Sequence, residues 1–225
     1  MSGAALGAST DPAPGAVWIF GYGSLIWRPG FSYRHRQPSL LQGWHRAFCR
    51  YSFHHRGTPD RPGLVVGLRR GKSCVGMAYA IGEQDVPETL EYLDQREGAG
   101  YLRTEVTLRL LEQNTAAGSA GNTAAGSAGN TAAGGAANAT QNGPENVSVP
   151  AWTYIPNPDH PSYFGEEDPA NLTRLVATGR GQSGTALDYL RDLIDHLQRF
   201  EVEEPELAAI LRAAERYQAN IGGRG

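Results

Sequence analysis

Four short stretches of the 225-residue chain carry residue types that do chemistry. The first is Phe20, Gly21, Tyr22, Gly23, Ser24 and Leu25, directly after an apolar run at 16–19. Two glycines one residue apart free the backbone, so N–H groups can face an anion or a carbonyl oxygen, with the Ser24 hydroxyl beside them. A tight turn or a bulge at a strand end has the same spacing, and both readings stay open. The second stretch is Arg96, Glu97, Gly98, Ala99, Gly100 and Tyr101. A carboxylate at a helix C-terminus opposes the helix dipole, so Glu97 either has another purpose or is a solvated surface group beside Arg96. The third holds His54, His55, Arg56 and Gly57. Adjacent histidines face opposite sides of a strand, and no further His or Cys stands at ligand spacing, so no metal pair is expected. Arg56 is read as a structural ion-pair partner or as a cation for a substrate carboxylate. The fourth, 152–166, sets Tyr154 and Tyr163 around a proline-rich turn, where they line a pocket or fill the core.

Several chemistries are excluded or weakened. A dinucleotide fingerprint needs glycine at position 26, which is Ile26, and Pro29 and Gly30 interrupt any helix there. No Gly-Lys-Ser/Thr phosphate loop and no Gly-x-Ser-x-Gly elbow occurs. With 20 Lys+Arg against 23 Asp+Glu, the net charge of -3 is no footprint for nucleic acid or for an anionic membrane. No apolar run approaches the roughly 20 residues of a spanning helix. Residues 1–15 are small and polar with no Lys or Arg, which predicts a disordered tail and no targeting signal. Cys49 and Cys74 form no CxxC and read as free thiols in a reducing compartment. These features predict a soluble cytoplasmic protein with no metal.

The elements that must position these residues are legible in outline. Short β-like runs are expected at 16–20, 44–52, 64–70, 73–81, 103–112 and 151–155, with turns at 58–63 and 69–72. Val86, Leu90 and Leu93 predict a short amphipathic helix between the last two strands before the insertion. Three helical segments follow residue 167, and in the second Leu187, Leu190, Ile194 and Leu197 form one apolar stripe. Residues 114–143 repeat an eight-residue Asn-Thr-Ala-Ala-Gly-Ser-Ala-Gly unit without a charge or an aromatic. They predict a disordered insertion in a surface loop of a single domain over 16–220. Strands first and helices later argue for an α+β fold with a small mixed or barrel-like sheet.

In order along the chain, these motifs resemble the ChaC-like γ-glutamylcyclotransferases, the glutathione-specific branch of that superfamily. The resemblance runs from Val17 to Tyr217, outside the insertion, and rests on Trp18–Trp27, the His55-Arg56-Gly57 run, Tyr92–Tyr101 and the Pro161–Gly165 segment. It implies a small mixed β-barrel with flanking helices that cleaves glutathione to 5-oxoproline and cysteinylglycine, with no metal, nucleotide or covalent nucleophile. By the same resemblance, Ile19, Phe20, Gly21, Tyr22, Gly23, Ser24 and Leu25 hold the γ-glutamyl end of the substrate, and Glu97 is the catalytic acid/base. That role predicts a secluded Glu97 with a raised pKa. The chain departs from the family pattern at His54, often Asp, and at Ala186, often Asn. Cyclisation of other γ-glutamyl amino acids or amines, or a non-catalytic interaction protein on the same fold, are the alternatives.

Overall fold

Runs of branched and aromatic residues broken by glycine build five strands that close on themselves. The computed structural model describes residues 16–111, 147–165 and 168–223; the expected tail at 1–15 and the insertion at 114–143 lie outside them. Strand β1 (Val17–Gly21) is followed by β2 (His35–Ser52), β3 (Gly63–Ile81), β4 (Tyr101–Leu110) and β5 (Ser148–Pro156), with helix α1 (Val86–Glu97) between β3 and β4. The order around the barrel is β1-β3-β2-β4-β5. Neighbours are antiparallel except β5 and β1, whose parallel pairing of Trp18 with Ala151 and Ile19 with Trp152 closes the ring. Helices α2 (Pro169–Thr178), α3 (Ala186–Gln198) and α4 (Pro205–Gly222) pack on one another, and α2 and α3 also pack on β3. The α+β mixed-barrel expectation thus matches the observed architecture.

Two strands are longer than the sequence pattern suggests. The expected strands at 64–70 and 73–81 are one strand, β3, and the expected turn at 69–72 is a kink inside it. Gly71 (φ 105°) and Lys72 (φ 53°) bend β3 where Gly43 (φ 77°) and a register shift between Gln42 and Trp44 bend its partner. A bulge of this kind increases twist without ending the ladder, which is how a long two-stranded ribbon curls into a small barrel. On β2 the pairing starts at His35, nine residues before the expected start at 44, with Pro38 set opposite Met77.

The core fills the barrel and continues under the helices. Phe20, Leu64, Met77, Tyr79, Ile81 and Leu108 are fully buried. On α3 the buried stripe is Leu187, Leu190, Leu193 and Leu197, with Ile194 only partly covered. The Thr185 hydroxyl caps that helix by accepting from the Asp188 N–H at 2.9 Å. This fixes the end of α3 that carries Tyr189, whose ring packs on Trp27 at 5.9 Å.

Candidate active site

At the end of β1 the chain makes the turn that its glycines suggest. A Cβ on Gly21 would stand 2.7 Å from that of Leu25, so a side chain there would push the turn open. The next residues, Ser24–Ile26, form a single 3-10 turn, whose first N–H groups precede any acceptor of its own. Four side chains from elsewhere hold this segment. Arg46 on β2 donates through Nε to the Tyr22 carbonyl at 2.6 Å. The Tyr79 hydroxyl donates to the Leu25 carbonyl at 2.7 Å, and Arg96 donates through Nη2 to Ser24 Oγ at 3.0 Å. Thr153 on β5 bonds the Phe20 carbonyl at 3.0 Å. Each nitrogen of the Arg46 guanidinium has a partner: Nη1 pairs with Glu204 at 2.5 Å and Nη2 donates to the Val75 carbonyl.

Glu97 is the last residue of α1, and its side chain is only 17% exposed. Burial raises its pKa above the ordinary carboxylate value, while the charges of Arg96 and Arg50 pull it partly back. Arg96 Nε stands 3.6 Å from its Oε1. The same Arg96 bonds the carbonyls of Arg28 and Pro29 and the Tyr92 hydroxyl, so one side chain ties the carboxylate's helix to the glycine loop.

Loop and carboxylate open into one cavity of about 730 Å³. Among the expected site residues, Phe20, Tyr22, Gly23, Ser24, Leu25, Glu97 and Tyr154 line it. Ile19 and Gly21 do not. Ile19 is fully buried on the other face of β1, because alternation along the strand turns it away from Phe20. Tyr163 also falls outside the lining: a single bridge pairs its backbone with Arg50, and its neighbour Ser162 faces the cavity in its place. Tyr154 sits on β5 with its hydroxyl donating to Asp94 Oδ1 at 2.6 Å and its carbonyl accepting from the Tyr22 hydroxyl at 2.6 Å. The two histidines at 54 and 55 lie beyond the end of β2, so strand alternation does not separate them and both line the cavity.

The sequence gives no site role to Arg50, Tyr101, His160, Ser162 or Tyr189, all of which line the same cavity. Burial pushes the phenols of Tyr22, Tyr101 and Tyr189 far above their ordinary pKa, so these hydroxyls stay protonated near neutral pH. Their signal in sequence is faint, since a tyrosine on a strand or helix reads as core. Arg56 was a candidate cation, and here it is 8% exposed, donates to the Thr185 carbonyl at 3.2 Å and lies 5.3 Å over the Tyr189 ring. Among the described residues no group of His, Cys, Asp and Glu is arranged to hold a metal ion.

A closed mixed barrel, a glycine turn at the end of its first strand and one secluded carboxylate facing that turn define a class of fold with a built small-molecule site. The crystal structure of a yeast γ-glutamylcyclotransferase specific to glutathione shares the fold, with a TM-score of 0.72 at 23% identity over 90% of this chain and 97% of that one. The family model for ChaC-like proteins matches residues 17–217, and the chain belongs to that family. The human glutathione-specific γ-glutamylcyclotransferase 1 is 31% identical over 209 residues, 90% of this chain and 80% of the relative. The glutathione-specific γ-glutamylcyclotransferase of Escherichia coli K12 is 30% identical over 202 residues, 89% and 73% of the two chains.

Proposed function

We infer that the protein is a γ-glutamylcyclotransferase that cleaves glutathione to 5-oxoproline and cysteinylglycine. The observation that carries this reading is the pairing of Glu97 with the Ser24 turn across one cavity, with Arg96 bonded to the turn and beside the carboxylate. The γ-glutamyl α-amine attacks its own γ-carbonyl, so the enzyme's task is to fold the donor into a near-attack conformer. A cavity walled by a pinned loop on one side and tyrosine rings on the other suits that task. The amine is an ammonium at neutral pH, and Glu97 takes its proton. As the tetrahedral intermediate collapses, the bond to the cysteinyl nitrogen breaks and Glu97 delivers the proton to it; the extra proton left on the ring nitrogen passes to the released amine, which departs as an ammonium. A carboxylate whose pKa is raised by burial serves both steps better than an exposed one. The N–H groups at the start of the 3-10 turn are donors for the developing oxyanion and the α-carboxylate.

A reducing compartment, the cytoplasm, agrees with two buried free cysteines, whose thiols are pushed up to about 11. Among the described residues no helix is long and apolar enough to cross a membrane. The experiment is direct. Purified protein with glutathione and nothing else added should release 5-oxoproline and cysteinylglycine in equal amounts. Folded protein that releases neither would refute the reading.

A further inference from the structure

The charge around the cavity is uneven. Among the described residues, the guanidinium groups of Arg28, Arg50, Arg56 and Arg96 line it, against one carboxylate, that of Glu97. A ligand with two carboxylates fits that excess better than one with a single carboxylate. On the proposed reading, the γ-glutamyl head brings the first to the Ser24 turn, and a second must find a partner further along the substrate. Arg96 is committed to the loop through three carbonyl or hydroxyl partners and Ser24. Arg56 is tied to Thr185 and lies against Tyr189. Arg28 is exposed at the rim.

Arg50 is held in place yet remains available. The Tyr101 ring centroid lies 4.2 Å from its Cζ, and its Nε donates to Ser162 Oγ at 3.2 Å. Gly100 leaves room for it, since a Cβ there would stand 2.3 Å from Nη2. Among the described residues it forms no ion pair. Ser162, 4% exposed, is bonded in turn to His160 Nδ1 at 2.7 Å, and the Ser162 backbone N–H also donates to that nitrogen at 3.1 Å. Nδ1 therefore accepts, which leaves Nε2 as the nitrogen free to face a ligand. A preorganised guanidinium with a second donor beside it is what a carboxylate oxygen pair requires.

We propose that Arg50, with His160 beside it, binds the carboxylate at the far end of the substrate, the glycine carboxylate of glutathione, and so selects the tripeptide over γ-glutamyl donors that end in a neutral group. This rests on the cyclotransferase reading. The glycine carboxylate lies two residues from the scissile nitrogen, a reach of at most roughly 7 Å. Arg50 is beyond ion-pair distance of Glu97 but near enough for its charge to act on it, which fits that reach.

The test compares glutathione with the same tripeptide whose glycine carboxylate is an amide, scored by 5-oxoproline release. The native protein should prefer the acid by about 10- to 100-fold in kcat/KM, the worth of a charge-assisted hydrogen-bonded pair. Arg50→Gln should lose that preference by raising KM for glutathione, so that acid and amide are turned over about equally. Arg50→Lys, which keeps the charge without the fork, should fall between them. Equal turnover of acid and amide by the native protein overturns the proposal without needing any variant. So does an Arg50→Gln enzyme that loses both substrates equally, or a preference abolished by Arg56→Gln and kept in Arg50→Gln. Release of 5-oxoproline from neither substrate by the native protein would instead overturn the cyclotransferase reading, and this assignment with it.

Discussion

The cavity has two walls, and they are built by opposite uses of arginine. On the loop wall, Arg46 and Arg96 give their N–H groups to protein acceptors: the Tyr22, Val75, Arg28 and Pro29 carbonyls, Ser24, Tyr92 and Glu204. On the far wall, Arg50, four residues along β2 from Arg46, is braced by a ring and a serine but forms no ion pair among the described residues. Residue type is the same on both walls; what differs is saturation. A guanidinium whose nitrogens are engaged by protein acceptors fixes backbone geometry. One that is held with donors to spare meets a ligand. The consequence is a division of labour, with a rigid loop wall for the reacting head and a charged wall for the remainder of the substrate.

Removing the group that both walls face should have the largest effect. Glu97→Gln keeps the shape and hydrogen-bonding capacity of the side chain but cannot cycle a proton. Turnover of glutathione should fall about 10²- to 10⁴-fold, with the far-ultraviolet circular dichroism unchanged. A variant that keeps full activity would mean that Glu97 is no acid/base and that the walls face something else. Next comes Arg46→Met, which removes the buried anchor of the loop wall. Its side chain is fully buried against a Glu204 that is 23% exposed, so the change strands one carboxylate and two carbonyls. Denaturant unfolding should show a loss of about 3 kcal/mol, whereas Arg50→Gln should be nearly silent in the same measurement. Equal losses for the two would erase the contrast between saturated and open arginines.

The loop wall was the more legible of the two in sequence. Two glycines one residue apart at a strand end predict an exposed turn, and the absence of the third glycine and of a lysine argues against phosphate. Glu97 stood out because it sits at the unfavourable end of a helix. The anchors were not visible, because Arg46 and Arg96 reach the loop from parts of the chain 24 and 72 residues away. Arg50 was hidden for another reason. A register shift between Phe48 and Arg50 breaks the alternation along β2, so Phe48 and Cys49 are both buried and the usual inside-outside pattern does not carry to the next residue. The same cause concealed the true lengths of β2 and β3, whose kinks at Gly43 and Gly71 look like turns in one dimension. Tyr163 was misplaced relative to the cavity because neighbours in an extended segment face opposite ways, and the proline-rich stretch around it gave no phase.

The pH dependence tests how Glu97 is poised between the walls. Its folded-state pKa is raised by burial, so the folded protein binds that proton more tightly than the unfolded chain does. The corresponding stability is fully present below the unfolded carboxylate pKa and is lost as pH rises through the higher folded value. At neutral pH the native protein therefore holds an unfavourable buried charge, and Glu97→Gln should melt at a higher temperature than the native protein. The gap should close about a pH unit below the unfolded carboxylate pKa, where Glu97 is protonated in both states. In activity the sign is reversed: kcat/KM needs the ionised base and should fall about tenfold per unit of pH below the raised pKa. An acid limb at the ordinary carboxylate value, with no melting difference at pH 7, would mean that the two walls do not seclude Glu97.

The smallest effect should come from deleting residues 114–143, which lie between β4 and β5 in the sequence. The chain leaves β4 and rejoins β5 at neighbouring points: Arg109 pairs with Ser148, and the Leu110 N–H donates to the Val147 carbonyl at 2.9 Å. Residues 111–113 and 144–146 would remain to make the turn, and loop-closure cost changes only slowly with length, by about 0.6 kcal/mol per doubling. This junction is also at the far end of the strand from the site. Tyr101 lines the cavity at the start of β4, and at about 3.3 Å per residue Leu110 stands roughly 30 Å away. Steady-state cleavage of glutathione by the deleted form should therefore match the full chain within about twofold, because that junction is remote from both walls. A deleted form that folds but is inactive would show that the division between the two walls is incomplete and that part of the insertion completes the site.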